Sequence, residues 1–303
     1  MTALSHTIME QYQIRKSKKQ KEAFRAWLRE TLEKEGYRVS EEKKTFSTNV
    51  VVGDPERAKV LLTAHYDTCA VLPIPNFITP RNFLFYLLYQ LVLCLPMFGV
   101  VFGAEAAILL LWEDCPLWAV MGIMYALLFF MLWWIIDGPA NKHTANDNTS
   151  GVITLIEALH DETIRSKCAF VLFDHEELGL VGSKQFSKKH KAEIEGKLLL
   201  NFDCVGLGDY FMLVQNKKAK PIFQDKLKAA FLPEEGKDVL FECACNTRYP
   251  SDQKNFKLGV GVACFKKMRV IGYYMDKIHT KHDTVLQEEN VSFLARSLHR
   301  LCE

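Results

Sequence analysis

A net charge of one sign is missing from this sequence of 303 residues: 38 lysines and arginines stand against 36 aspartates and glutamates, leaving +2. No global field therefore argues for a nucleic-acid partner. Paired cysteines are missing as well. The nine cysteines are odd in number and contain no Cys-x-x-Cys pair, which argues against a disulfide framework and fits a reducing compartment. Cys243 and Cys245, one residue apart, read as two strand or loop thiols rather than a metal site. The N-terminus has no apolar h-region, so no cleavable signal peptide is expected. There is no phosphate-binding Walker loop, and Gly206-Leu207-Gly208 and Gly259-Val260-Gly261 are too short to be dinucleotide fingerprints. No Gly-x-Ser-x-Gly occurs. His175-Glu176 does not open a His-Glu-x-x-His zinc motif, because position 179 is glycine.

What is present in excess is uninterrupted apolar sequence. Phe83 to Ala104 is 22 residues without a charge, and after Glu105 the apolar run resumes to Trp112. Leu117 to Ile136 is a further 20 uncharged residues holding three of the five tryptophans. Each long run suffices to cross a bilayer as a helix; the competing explanation is a hydrophobic hairpin buried in an oligomer interface. Pro96 and Gly99 predict a kink or a re-entrant course for the first segment. If both helices cross, their outer ends share one side. That side carries Arg81, Lys142 and the basic N-terminal region, whereas the tip carries Glu105, Glu113 and Asp114 without a lysine or arginine. The positive-inside rule then places both termini and the globular part in the cytoplasm. The expected division is a discontinuous domain over 1–77 and 138–303, interrupted by an inserted hairpin over 78–137.

Outside the insertion the chain alternates short apolar strands with helices. Residues 1–14 carry no clear pattern. Arg15 to Lys21 is strongly basic, to be explained either as a solvated helix face or as contact with anionic lipid headgroups. Phe24, Trp27, Leu28 and Leu32 mark an amphipathic helix ending near Gly36. Residues 37–52 form a hairpin, and strands are expected at 59–64, 169–173, 197–202, 210–215 and 259–265. Helices are expected at 152–159 (with Ser150 or Thr149 as N-cap), from 182 to about 190, and at 224–231 and 288–301. This pattern predicts an α/β fold with a central mixed, largely parallel sheet flanked by helices. Ligands of such a sheet gather beyond the carboxyl ends of the strands.

Those ends are where the unusual residues fall. Asp174-His175-Glu176-Glu177 follows the strand over 169–173, and adjacent carboxylates at the end of a buried strand call for a cation or a solvated cleft. His65 and Asp67 follow the strand over 59–64, Asp203 follows that over 197–202, and Asp147 lies in the polar loop over 145–151. His279 adds another station near the C-terminus, with His282 as its competitor. Imidazole and carboxylate donors together suit zinc or a related divalent ion. They are too many for one four-coordinate zinc, and two metals sharing a bridging carboxylate would use them all.

The order of these segments resembles the M28 family of co-catalytic zinc aminopeptidases. The matching pieces are Ala64-His65-Tyr66-Asp67-Thr68, the run 145–151, the run 174–183, Asn201-Phe202-Asp203, Ser251-Asp252 and the run 279–284. The resemblance implies that His65 and Asp203 hold one zinc, Glu177 and His279 the other, with Asp147 bridging. It implies Asp67 orienting His65 through its other ring nitrogen. Glu176 is implied as the general base, taking a proton from the metal-bridging water and delivering it to the leaving amine. The His-Thr-x-x-Asp-Thr register favours His279 over His282. Tyr249 sits near the family's oxyanion-stabilising tyrosine. Gln253 departs from the usual histidine, a change expected to alter the pocket wall. The larger departure is the hairpin, which replaces a short loop and would set the site close to a membrane. The implied function is removal of N-terminal residues from a peptide or protein, presented at the bilayer. The alternatives are a glutaminyl cyclase or other amide-processing relative on the same scaffold, and a non-catalytic membrane scaffold.

Overall fold

A computed structural model describes residues 1–112 and 114–303 of the chain. Nine strands form its frame: β1 (Val39–Lys43), β2 (Thr48–Val52), β3 (Val60–His65), β4 (Cys168–Phe173), β5 (Leu198–Phe202), β6 (Tyr210–Gln215), β7 (Asp238–Cys243), β8 (Gly259–Met268) and β9 (Gly272–Tyr274). They make one sheet in the order β1-β2-β4-β3-β5-β8-β6-β7, with β9 paired to β8. The four central strands, β4, β3, β5 and β8, run parallel. Their carboxyl ends therefore share one edge of the sheet. The hairpin joins antiparallel through β2, and β6 is antiparallel to β8. The expected mixed sheet with a parallel centre is what forms.

Helices cover both faces of that centre, which is why β3, β4 and β5 are buried at every residue rather than at alternate ones. Side chains still divide by period two. Leu62, Phe170, Leu172 and Leu200 turn toward α1 (Ala3–Gln11), α2 (Lys18–Lys34), α5 (Ser150–Leu159) and α9 (Glu288–Cys302). Leu61, Ala169, Val171, Phe173 and Leu199 turn toward Phe186 of α7 (Val181–Lys189) and Phe256. The short α6 (Glu162–Arg165) precedes β4, and α8 (Lys220–Ala230) packs on α9.

Several sequence expectations change. Residues 1–14 are not featureless: α1 is held by Glu157, whose carboxylate accepts from the Thr2 amide at 2.6 Å and the Ser5 hydroxyl at 2.6 Å. The basic run splits. Lys18 and Lys19 are exposed, but Arg15 is fully buried, donating to the Tyr66 carbonyl at 2.5 Å and the Thr149 hydroxyl at 3.2 Å. Lys21 is buried in an ion pair with Asp174 at 2.6 Å. Thr149 stands at the N-cap position of α5 but makes no side-chain capping bond there, and the Ser150 hydroxyl donates to the Asn146 carbonyl at 2.6 Å. Cys243 and Cys245 are joined as a disulfide at the end of β7 rather than standing as two thiols. Gln253 does not form a pocket wall. It is buried under β8, donating to the Tyr249 carbonyl at 2.7 Å, where Gly261 leaves room for it.

The two apolar runs are helices α3 (Phe83–Leu111) and α4 (Leu117–Asp137), both long and apolar enough to cross a membrane. Glu105 does not interrupt α3, and Pro96 lies within it. Glu113, one of the expected tip acids, lies outside the described residues. Only 6% of the apolar stretch of each helix is buried, so neither is a core helix. Leu84, Leu88, Leu95, Phe102, Trp118 and Phe129 are among the large side chains left exposed, a surface far beyond scattered apolar residues. The segments before α3 and after α4 meet at an isolated antiparallel bridge between Ala70 and Ala140. Lys16 pairs with Asp137 at the end of α4 at 2.5 Å.

Candidate metal centre and active site

The parallel centre of the sheet brings the donors together. His65 ends β3 opposite Phe173 of β4, so Asp67 and the Asp174–Glu177 turn emerge side by side. Asp203 follows β5, whose Asn201 pairs with Gly261 of β8. Asp147 arrives from the run Ala145–Thr149, which is buried throughout.

Asp147 lies at the middle of the cluster. Its Oδ1 is 3.4 Å from His65 Nε2, and its Oδ2 is 2.9 Å from His279 Nε2. Asp203 Oδ1 lies 3.6 Å from His65 Nε2, and Glu177 Oε2 lies 3.4 Å from His279 Nε2. Two donor stations thus share one carboxylate. His65, Asp147 and Asp203 make one, and Glu177 with His279 the core of the other. His282 is exposed and takes no part.

Buried polar contacts fix these positions. Asp283 accepts the Asn146 and Asp147 amides, one on each carboxylate oxygen, at 2.8 and 2.9 Å. Asn148 donates to the Phe202 carbonyl at 2.9 Å and accepts the Gly151 amide at 3.0 Å. A Cβ on Gly151 would stand 2.4 Å from the Phe202 carbonyl oxygen and 2.5 Å from Asn148 Oδ1, so only glycine allows this approach. Asp67 accepts the Glu176 amide at 3.0 Å and the Glu177 amide at 3.3 Å. Its main-chain oxygen lies 3.1 Å from His65 Nδ1, nearer than its carboxylate at 3.7 Å. Asp67 therefore ties the imidazole to the glutamate pair. His279 and Cys204 adopt positive φ of 60° and 56°, a conformation of the kind that clusters at functional sites.

Electrostatics set by the protein atoms alone are strained. Burial pulls the His65 imidazole down, but Asp147, Asp203 and Asp67 outweigh it and hold it well above its usual value. Burial works against His279 too, yet Glu177 and Asp147 raise it to about 10. Burial pushes Glu177 up to about 8, with His279 opposing and Asp147 reinforcing. Burial likewise lifts Glu176 well above the carboxylate range; His65 opposes, while Asp203, Glu177 and Asp252 reinforce. Glu177 Oε1 and both carboxylate oxygens of Asp252 are buried without a hydrogen-bond partner. Uncompensated buried carboxylates on this scale are costly, and divalent cations relieve them. The donor set fits zinc, which takes histidine nitrogen and carboxylate oxygen.

The stations open into a cavity of about 350 Å³. One side of it is lined by residues at and just before the start of α3, Ile78, Phe83 and Tyr86, with Ile278 beside them. Arg248 stacks its guanidinium 3.6 Å from the Phe83 ring centroid and donates its amide to the Pro80 carbonyl at 2.9 Å. Tyr249 also lines the cavity, and its hydroxyl donates to the Asp203 main-chain carbonyl at 3.0 Å. All eight residues singled out from the sequence, His65, Asp67, Asp147, Glu176, Glu177, Asp203, Tyr249 and His279, lie in or against this cluster. Asp283 and Asn148 stood inside matching motifs without a role being read for them. Asp252 likewise stood inside the matching piece Ser251-Asp252 without a role being read for it, and Arg248 carried no signal at all.

Comparison with known proteins follows the same lines. The family described as peptidase family M28 matches residues 134–297. No curated protein matches the sequence. Among solved structures, the chain is similar to the LapA aminopeptidase of Legionella pneumophila, at 14% identity, covering 99% of this chain and 67% of that one, with a TM-score of 0.58. It is similar to the glutaminyl cyclase of Macrostomum lignano at 13% identity, over 99% and 88% of the two chains, with a TM-score of 0.57. It is also similar to an Acidobacteriales bacterium glutaminyl cyclase at 14% identity, over 98% and 92%, with a TM-score of 0.56. At such identities these likenesses show the fold alone.

Proposed function

The chain belongs to peptidase family M28, and from that premise we propose that it is a membrane-associated, zinc-dependent aminopeptidase. The observation that carries the reading is Asp147, whose two carboxylate oxygens face two different histidines, each with a further acid beside it. On this reading His65 and Asp203 hold one zinc, Glu177 and His279 a second, and Asp147 both. Zinc bound there supplies Lewis-acid polarisation and lowers the pKa of water.

The chain's own groups do the rest. Glu176 takes the proton of the attacking water on its carboxylate and returns it to the departing amine. Burial and the neighbouring acids raise the pKa of Glu176 above the ordinary carboxylate range, the direction a proton carrier of this kind needs. Asp67 positions Glu176 and Glu177 through their amides. Tyr249 braces Asp203 through the main chain; to donate to an oxyanion, it would exchange that bond. The cavity's apolar side, Ile78, Phe83 and Tyr86, suits an apolar N-terminal side chain. That side belongs to the residues entering α3, so the substrate would be met at a bilayer surface. We assign residues 1–77 and 138–303 to the peptidase domain and 78–137 to the inserted hairpin.

A second reading is glutaminyl cyclisation, which uses a similar donor set, and cyclase structures match the fold as closely as LapA does. Incubating the detergent-solubilised chain with Leu-initiated and Gln-initiated peptides separates the two. Release of free leucine, reduced about 10²- to 10⁴-fold in Glu176→Gln, is the expected result. Pyroglutamyl product without free amino acid would establish the cyclase reading instead.

A further inference from the structure

We infer that Cys69 is a metal ligand, completing the Glu177–His279 station with a thiolate; this rests on the metallopeptidase reading above. Cys69 Sγ, a Glu177 carboxylate oxygen and a His279 ring nitrogen lie within 4.8 Å of one another. The thiol is 4% exposed, so it stands inside the cluster and not at its rim. The neighbouring chain explains why it is there. Leu72 bridges to Thr280 in parallel, and its amide donates to the His279 carbonyl at 2.7 Å. The Asn141 amide donates to the Cys69 carbonyl at 3.1 Å. The segment that follows β3 is thereby clamped alongside the segment that carries His279. Glu177 Oε1, buried and without a hydrogen-bond partner, is a second sign that this side of the cluster awaits a cation.

Counting donors makes the two stations unequal. Cys69, Glu177, His279 and the shared Asp147 give four donors, the closed set of a structural zinc. His65, Asp203 and Asp147 give three, the set of a zinc that keeps one position open. Glu176 is grouped with both His65 and Glu177, one donor from each station. The donor count therefore leaves the open position at the His65 station and a supporting role to the Cys69 station. A soft thiolate also favours zinc over manganese or magnesium there. On binding, the thiol gives up its proton to solvent and the sulfur donates its electron pair to the metal.

Cobalt(II) reads this directly. The full-length chain, stripped by a chelator and reloaded with cobalt in detergent, should show a near-ultraviolet sulfur-to-cobalt charge-transfer band. Cys69→Ser should abolish the band, and Cys204→Ser, which alters the thiol beside Asp203, should keep it. Bound cobalt without the band in the unmutated chain overturns the inference and leaves the peptidase reading standing, as does a band that survives Cys69→Ser. A chain that takes up no cobalt overturns both. The spectrum of the unmutated chain keeps the inference open to refutation even if a variant fails to fold.

Discussion

Asp147 is the residue on which the site turns, and its usefulness depends on a residue that never meets a substrate. Asp283 grips two successive amides at 2.8 and 2.9 Å, which aims the Asp147 carboxylate between His65 and His279. Burial lifts Asp283 itself to about 7, against the amide bonds from Asp147 and Asn146. Asp283→Asn should retain the donor atoms yet loosen their aim, and supporting contacts of this kind are worth about 10- to 100-fold in metal affinity. Competition with a chromophoric zinc chelator measures it; unchanged affinity would show that Asp283 merely packs. His65, Glu176, Glu177, Asp203 and His279 were legible because their residue types are unusual at strand ends and in the loops they occupy. Asp283's partners are main-chain amides more than 130 positions away, and no residue pattern announces such a bond. Arg15 was obscured for a similar reason: it sits in a run of lysines, but beside the Tyr12 carbonyl its acceptors are a carbonyl and a hydroxyl from distant segments.

Among the elements, the hairpin β1–β2 and helix α7 are joined by a buried imidazole. His190 Nε2 lies 2.7 Å from Glu42 Oε1, and Lys189 reaches the same oxygen at 2.6 Å. Burial pulls His190 down, but Glu42 and Glu193 raise it above its ordinary 6.5. Burial pushes Glu42 up, but His190 and Lys189 hold it below its ordinary 4.5. A raised histidine contributes stability below its unfolded pKa and loses it as pH rises through the folded value; a depressed glutamate contributes above its unfolded pKa and loses it as pH falls. The pair should thus stabilise most between about 4.5 and 6.5. Thermal melts of the unmutated chain and His190→Gln should converge as pH rises above 6.5; a constant gap would contradict the linkage. The strands of the centre were readable as short apolar runs, and helix α2 from its periodicity. Helix α1 was not, because nine residues are too few to hold a helix alone and its support comes from Glu157. Strand β7 was not, because its half-buried residues neither alternate cleanly nor run apolar.

At the scale of the whole molecule, the insertion was the plainest feature of the sequence, since composition and length alone define it. Its meaning comes from where it joins. Helix α4, of 21 residues, spans about 31 Å at 1.5 Å per residue, close to the roughly 30 Å of a bilayer core. Helix α3 has 29 residues, about 43 Å, and Phe83 and Tyr86 of its first turn line the cavity. The expected topology has residues on both sides of the insertion in the cytoplasm and the tip at Asp114 across the bilayer. Tags at the two termini and a thiol label on Asp114→Cys should report opposite sides in sealed vesicles, and a shared side would refute the spanning hairpin. Sheet order and the closing bridge of Ala70 with Ala140 could not be read from sequence, because pairing partners are set by the whole fold. The most direct test of the account is digestion of a peptide library by the membrane-reconstituted chain, read by mass spectrometry beside Glu176→Gln. Stepwise loss of N-terminal residues, strongest for apolar ones and lost in the variant at equal zinc content, is the predicted result. Intact peptides with the zinc-loaded chain, or trimming that Glu176→Gln leaves untouched, would contradict it.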